Sequence, residues 1–213
     1  LISGEEYNVI GDKTGWEKAV DFHGHICPGL AMGYRAAQAG MRELKAGRSP
    51  DEELFVIVEN DNCGVDAVQV VTGCTMGKGN LYYRDYGKNA YTFGRRDTGE
   101  AVRIVVKGPG AVLGENFQDL RMKVMSGQAT GEERERFRTM QADAPDRILN
   151  APEEDVLTIK PVELEQPPQA KIFASVTCSV CGEQVMEPRA RLRDGKPVCL
   201  PCSDPYPSRL CGR

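Results

Sequence analysis

The chain has 213 residues, a formal net charge of -4 and a pI near 5.4, which disfavours a globally basic nucleic-acid binder. Its composition, 40% hydrophobic and 27% charged, excludes a disordered protein. No run approaches the roughly 18 consecutive apolar residues of a membrane span, so no membrane partner is expected.

The visible sequence starts at Leu1 and carries no signal-peptide pattern, and the protein is expected to be cytoplasmic. Charge divides the chain into three stretches. Residues 1–131 carry 15 basic and 17 acidic side chains, residues 132–169 carry 5 and 10, and residues 170–213 carry 7 and 4. Pro167 and Pro168 close the acidic stretch, and Glu163 to Gln169 reads as an extended linker, because consecutive prolines favour polyproline-type backbone. Two domains are therefore expected, 1–169 and 170–213.

In chain order, Thr14 and Glu17 have the spacing of a capping box, and Trp16, Ala19, Val20 and His23 follow helical spacing, so a short helix should end near Phe22. Pro28 suits the first turn of a second helix running through Ala31, Arg35, Ala36 and Leu44 and stopping at Gly47. Leu54 to Val58 reads as a buried strand and Val65 to Val71 as a helix. Leu81 to Tyr83, Asn89 to Phe93 and Ala101 to Val106 are strand-like and separated by turn chemistry, which predicts an antiparallel meander. Helices are expected over roughly Glu115 to Met125 and Gly131 to Ala142, and a late strand over Val156 to Ile159. The sum is α+β, an antiparallel sheet with packed helices, plus a small C-terminal four-cysteine domain.

The 8 cysteines are unevenly placed. Cys178-Ser-Val-Cys181 and Cys199-Leu-Pro-Cys202 are two knuckles with 17 residues between them, the pattern of a four-cysteine structural zinc site in a reducing compartment. Each knuckle sets two thiolates about 3.5–4 Å apart, matching Zn–S bonds of about 2.3 Å. So small a domain builds little core, and metal binding would contribute much of its folding free energy. Arg189, Arg191, Arg193 and Lys196 give the finger a basic side. No aromatic interleaves them, while Phe173 and Tyr206 flank at a distance, so base stacking is poorly supported and nucleic acid is not an expected partner. Cys211 lies outside the quartet and is expected to be a free thiol.

Both histidines of the chain fall in Phe22-His23-Gly24-His25-Ile26-Cys27-Pro28-Gly29. Imidazole and thiolate are both good ligands for zinc, nickel, copper and iron. The loop feeds a helix N-terminus, which stabilises an anion such as a thiolate. Cys63 and Cys74 occur in two polar turns, Asp61-Asn62-Cys63-Gly64 and Thr72-Gly73-Cys74-Thr75. With His23, His25 and Cys27 they form a candidate site of mixed nitrogen and sulfur ligands, its metal identity open. Alternatively, Cys63 and Cys74 form a redox dithiol, or Cys27 or Cys63 is a catalytic thiolate activated by a histidine. In the metal reading His25, Cys27 and Cys63 bind directly, with His23 and Cys74 in the shell or just behind it. Asp61 and Asp66 would orient the histidines. Gly73–Gly79 lacks the spacing of a Walker A loop, though its amides could form an anion nest around Lys78.

His-Gly-His-Ile-Cys-Pro-Gly-Leu at 23–30, Asn-Asp-Asn-Cys at 60–63 and Thr-Gly-Cys-Thr-Met-Gly-Lys-Gly-Asn at 72–80 together resemble the formylmethanofuran dehydrogenase FmdE family, over about residues 14–165. The C-terminal finger looks like the one appended in part of that family, and it also resembles the finger of conjugation-regulator-type RNA-polymerase-binding proteins. The resemblance implies an α+β core, a homodimer and a metal-accommodating His/Cys cleft. It also implies association with a larger molybdenum- or tungsten-dependent oxidoreductase complex handling one-carbon units. The expected function is thus that of an FmdE-like metal-binding protein in an accessory or redox-associated role. The alternatives are a thiol-dependent enzyme using a Cys/His site, or a zinc-finger interaction or regulatory module.

Overall fold

The computed structural model describes residues 14–108 and 110–204; Cys211 and Tyr206 lie outside them. Contacts divide the chain into two compact units, Leu1–Gln169 and Ala170–Arg213. Among the described residues, no helix is long and apolar enough to cross a membrane.

The first unit opens with helix α1 (Gly15–His23), capped by the expected Thr14/Glu17 box and ended by Gly24 in the left-handed region, φ 90°. Helix α2 (Pro28–Glu43) begins on Pro28 and uses the Cys27 sulfur as its N-cap acceptor. Strand β1 (Leu54–Val58) is buried along its whole length, as its unbroken apolar run requires. Helix α3 (Gly64–Thr72) then crosses to strand β2 (Leu81–Tyr83). Strands β3 (Ala90–Arg95) and β4 (Ala101–Val106) follow, then helices α4 (Gly110–Leu113), α5 (Glu115–Met125), α6 (Gly131–Asn150) and α7 (Glu153–Val156), and strand β5 (Leu157–Pro161).

The sheet order is β2-β1-β3-β4-β5. The meander expectation fails at its first step: β2 pairs with β1, not β3, and does so in parallel, Val56 opposite Leu81 and Val58 opposite Tyr83. The reason is α3. A helix between two strands returns the chain to the same end of the sheet, giving a βαβ unit rather than a hairpin. The remaining pairings are antiparallel. The βαβ unit matters for function, because it places the α3 N-terminus just beyond the carboxyl end of β1, where open α/β sheets hold ligands.

Helix α2 lies on the sheet through a face of small residues. Ala31, Ala36, Ala37 and Ala39 are fully buried, and a Cβ at Gly40 would stand 2.5 Å from the Phe93 ring. Helix α6 runs past the expected end at Ala142 to Asn150, carrying Pro145 inside it. Ala144, Pro145 and Ile148 are buried, and Arg35 donates to the carbonyls of Ile148, Leu149 and Ala151 at 2.7, 2.8 and 2.9 Å. Packing and this cap outweigh the interior proline. The segment expected as a linker is held to the sheet: Arg96 donates to the Pro167 carbonyl at 2.6 Å and the Tyr82 hydroxyl to the Pro168 carbonyl at 2.5 Å.

The second unit consists of two hairpins, β6 (Ser175–Thr177) with β7 (Gln184–Met186) and β8 (Arg191–Arg193) with β9 (Lys196–Val198). Asp194 and Gly195 form the second turn with φ 51° and 74°, the positive pair that a type I′ turn needs. Val198 is fully buried.

Candidate metal-binding site

The α1–α2 turn and the start of α3 build one cluster. Helix α1 ends at His23, and Gly24 reverses the chain so that His25 and Cys27 return beside it. The ligating atoms of His23, His25 and Cys27 all lie within 4.8 Å of one another. Cys27 Sγ is 3.7 Å from His23 Nε2, close to the roughly 3.6 Å edge of a tetrahedron with bonds near 2.2 Å. The two imidazole rings are 4.5 Å apart between centroids. His23 Nδ1 is 2.7 Å from Asp66 Oδ2, which directs Nε2 at the cluster, as carboxylates do behind metal-bound histidines. The Leu30 amide donates to Cys27 Sγ at 3.3 Å.

Cys63 enters from the N-terminus of α3, and close helix packing brings it there. A Cβ on Gly33 would lie 2.3 Å from both the Cα and the carbonyl oxygen of Gly64, so α2 and α3 touch backbone to backbone. A Cβ on Gly29 would sit 3.8 Å from Cys63 Sγ and 3.9 Å from Cys27 Sγ; the two thiols flank that glycine. Cys63 is not within 4.8 Å of the whole trio. Burial, then the charge and hydrogen bond of Cys27, push its thiol up. Two thiols this close compete for one negative charge, a conflict that a cation between them would relieve. The donor set, two imidazoles and two thiols, suits a late first-row divalent ion.

Three expected contributors stand elsewhere. Cys74 is fully buried in the core with Val68, Leu81 and Phe93, and burial raises its thiol to about 11. It follows Gly73, whose left-handed backbone turns the chain inward at φ 74°, so it is a core residue and neither a ligand of this cluster nor half of the Cys63–Cys74 dithiol. The anion nest around Lys78 is not formed: the amides of Thr75, Lys78 and Gly79 donate to Asn80 Oδ1, Thr75 Oγ1 and the Met76 carbonyl at 2.9, 3.2 and 3.1 Å, and the Lys78 ammonium donates to the carbonyls of Ser49, Pro50 and Asp51 at 3.0, 3.3 and 3.4 Å. Asp61 is exposed on the loop before α3 and, among the described residues, bonds to neither histidine. The orienting role falls to Asp66, five residues further on in the first turn of α3.

Residues that pattern alone did not mark complete the surroundings. Asn62 Oδ1 accepts from the Gly64 amide at 2.9 Å and from the Tyr91 hydroxyl at 3.3 Å, which fixes the loop carrying Cys63. A cavity of about 490 Å³ opens beside the cluster, lined by His23, Cys63 and Asp66 and by Met76, Leu81 and Tyr83. Leu81 and Tyr83, two apart on β2, share the face that lines this cavity, and exposure rises along the strand from Leu81 to Tyr83.

In the second unit the sulfurs of Cys178, Cys181, Cys199 and Cys202 also lie within 4.8 Å of one another. Backbone amides of Cys181 and Cys199 lower the Cys178 thiol to about 6, while the Cys199 thiol raises Cys202 to about 12. One thiolate is stabilised while Cys181 and Cys202 resist ionisation, as expected of clustered sulfurs whose shared charge a metal ion neutralises. Arg193 is tied down by Asp204 at 3.5 Å and by the Cys202 carbonyl at 3.3 Å.

Known proteins show the same division. The family model described as "FmdE, Molybdenum formylmethanofuran dehydrogenase operon" matches residues 22–158, and the prokaryotic dksA/traR C4-type zinc finger matches residues 171–207. A protein of Archaeoglobus fulgidus described as a probable S-adenosyl-L-methionine-binding protein is 34% identical over 196 residues, 89% of this chain and 52% of that protein. The chain thus spans about half the length of the curated relative it matches. The crystal structure of a tungsten formylmethanofuran dehydrogenase FmdE-like protein from Syntrophus aciditrophicus superposes with a TM-score of 0.59 at 24% identity, covering 87% of this chain and 88% of that one, and shares the fold. The match over residues 22–158 together with the four-cysteine unit shows that this chain belongs to the FmdE family and carries a C4-type zinc finger.

Proposed function

We propose that the N-terminal cluster binds one late first-row divalent metal ion through His23, His25, Cys27 and Cys63, in addition to the structural zinc of the finger. The observation that carries the reading is the His23–Asp66 bond of 2.7 Å, which aims Nε2 at Cys27 Sγ. Such an ion would supply Lewis acidity toward an oxygen or sulfur donor of a ligand. The chain's own contribution is positioning: Asp66 fixes the His23 tautomer, the Leu30 amide steadies the Cys27 sulfur, and Gly24 and Gly29 leave room. On this reading the protein is an accessory or redox-associated component of a molybdenum- or tungsten-dependent formylmethanofuran dehydrogenase-type system, acting as a homodimer. The family match and the soft donor set support it.

Cobalt(II) substitution tests the site. With the finger already filled by zinc, added cobalt should give a sulfur-to-cobalt charge-transfer band that weakens in Cys63→Ser and in Cys27→Ser and disappears when both are replaced. A cobalt spectrum identical in all four proteins would refute cysteine ligation in the cleft.

A second reading has its own observation. Cys27, His23 and Asp66 stand in the order of a thiol, a base and an orienting carboxylate, at 3.7 and 2.7 Å. It requires Cys27 to be alkylated rapidly near neutral pH and any activity to survive chelators, whereas the metal reading requires bound metal to protect Cys27.

A further inference from the structure

The cavity beside the cluster has a largely apolar lining. Val58, Val65, Leu81, Met76 and Tyr83 line it together with His23, Cys63 and Asp66. Tyr83 and Met76 are 46% and 69% exposed, which puts a phenol ring and a thioether at the mouth. The only formally charged side chains along the cavity are the carboxylates of Asp61 and Asp66; among the described residues no lysine or arginine lines it. The amide groups cannot offset that charge. Asn60 Nδ2 donates to the Lys88 carbonyl at 2.8 Å, and Asn62 Nδ2 donates to Asn89 Oδ1 at 3.3 Å. The field reaches the mouth, since Asp85 and Asp61, after burial, push the Tyr83 phenol up.

Metal loading does not reverse this sign. Two thiolates on a divalent ion sum to zero and metal-bound imidazoles are neutral, so Asp61 and Asp66 remain uncompensated. Between them an anion is repelled, and a cation is attracted without a specific partner. The exposed Tyr83 ring adds to the same preference, because a ring quadrupole attracts onium groups. A volume of about 490 Å³ is ample for a small organic molecule.

We infer that this cavity is a binding pocket for a small organic cation with an apolar body, its charge held near Asp61 and Tyr83 and its body lying along Leu81, Val65 and Met76 toward the His/Cys cluster. The inference deepens the proposed function and rests on it for the charge balance at the metal side. It names a ligand class, and Asp61 as the residue that sets the charge preference.

Three probes of similar length separate charge from shape: hexyltrimethylammonium, 1-heptanol and heptanoate. Calorimetric titration of the full chain, zinc-loaded and zinc-depleted, should give hexyltrimethylammonium an advantage of about tenfold or more over heptanoate, with heptanol between them. Asp61→Asn should shrink that ratio to about threefold, and Asp61→Lys should bring it to parity or below. Asp61 is exposed, so both variants are expected to fold. The inference is overturned if heptanoate binds the wild type as tightly as the cation, if both Asp61 variants keep the wild-type ratio, or if no probe binds. Cleft zinc measured on the same samples separates the two claims. Bound zinc without charge discrimination overturns the pocket alone, whereas discrimination in a chain that takes up no cleft metal supports the pocket and overturns the metal reading.

Discussion

At the scale of single residues, Asp66 carries more of the site than its exposed neighbour Asp61. It lies in the first turn of α3 and holds His23 Nδ1 at 2.7 Å, so it selects which ring nitrogen faces the thiols. Carboxylates in this position typically contribute 10- to 100-fold to metal affinity. Asp66→Asn is therefore expected to weaken cleft metal binding by about that factor in competition with a chromophoric chelator, while the finger's affinity stays unchanged. Equal affinity in variant and wild type would show that His23 is oriented by something else. The histidines and Cys27 were legible from their spacing, because a turn of five residues cannot carry three ligating side chains far apart. The role of Asp66 rather than Asp61 was not, because it depends on the 43-residue separation that packing closes between α1 and α3. Cys74 misled for a similar reason: a polar turn on either side conceals that the sulfur itself points into the core.

At the scale of elements, the site exists because α2 and α3 pack at glycine distance. Cys27 and Cys63 are each the N-cap of a helix, and they meet only if the first turns of those helices meet. Gly33 and Gly64 permit this, a Cβ on Gly33 falling 2.3 Å from the opposing backbone. Gly33→Ala is expected to cost about 3 kcal/mol in denaturant unfolding and to lower cleft metal affinity in the protein that remains folded. Loss of stability with unchanged metal affinity would mean that the helix contact supports the fold but does not set the site. Helix positions followed from the Thr14/Glu17 capping box, Pro28 and apolar period, although α2 stops at Glu43 rather than at Gly47. Strand pairing did not follow, because the three strand runs look alike in sequence. Only the return of the chain through α3 decides that β2 joins β1 in parallel. The length of α6 was hidden by Pro145, whose cost is met by buried Ala144 and Ile148 and by the Arg35 cap, both long-range.

At the scale of the whole molecule, the chain consists of two units with separate means of support. The first is held by an apolar core around β1, β3 and α2. The second has few buried side chains and depends on its four sulfurs, as small zinc-ligating domains do. If the cleft cluster is a metal site in its own right, metal content must fall in independent steps. Elemental analysis of protein purified without a metal-affinity step measures this directly. The expected result is two metal ions per chain in the wild type, one in Cys27→Ala and one in Cys178→Ala. A single ion per chain in the wild type, unchanged in Cys27→Ala and lost in Cys178→Ala, would contradict the account.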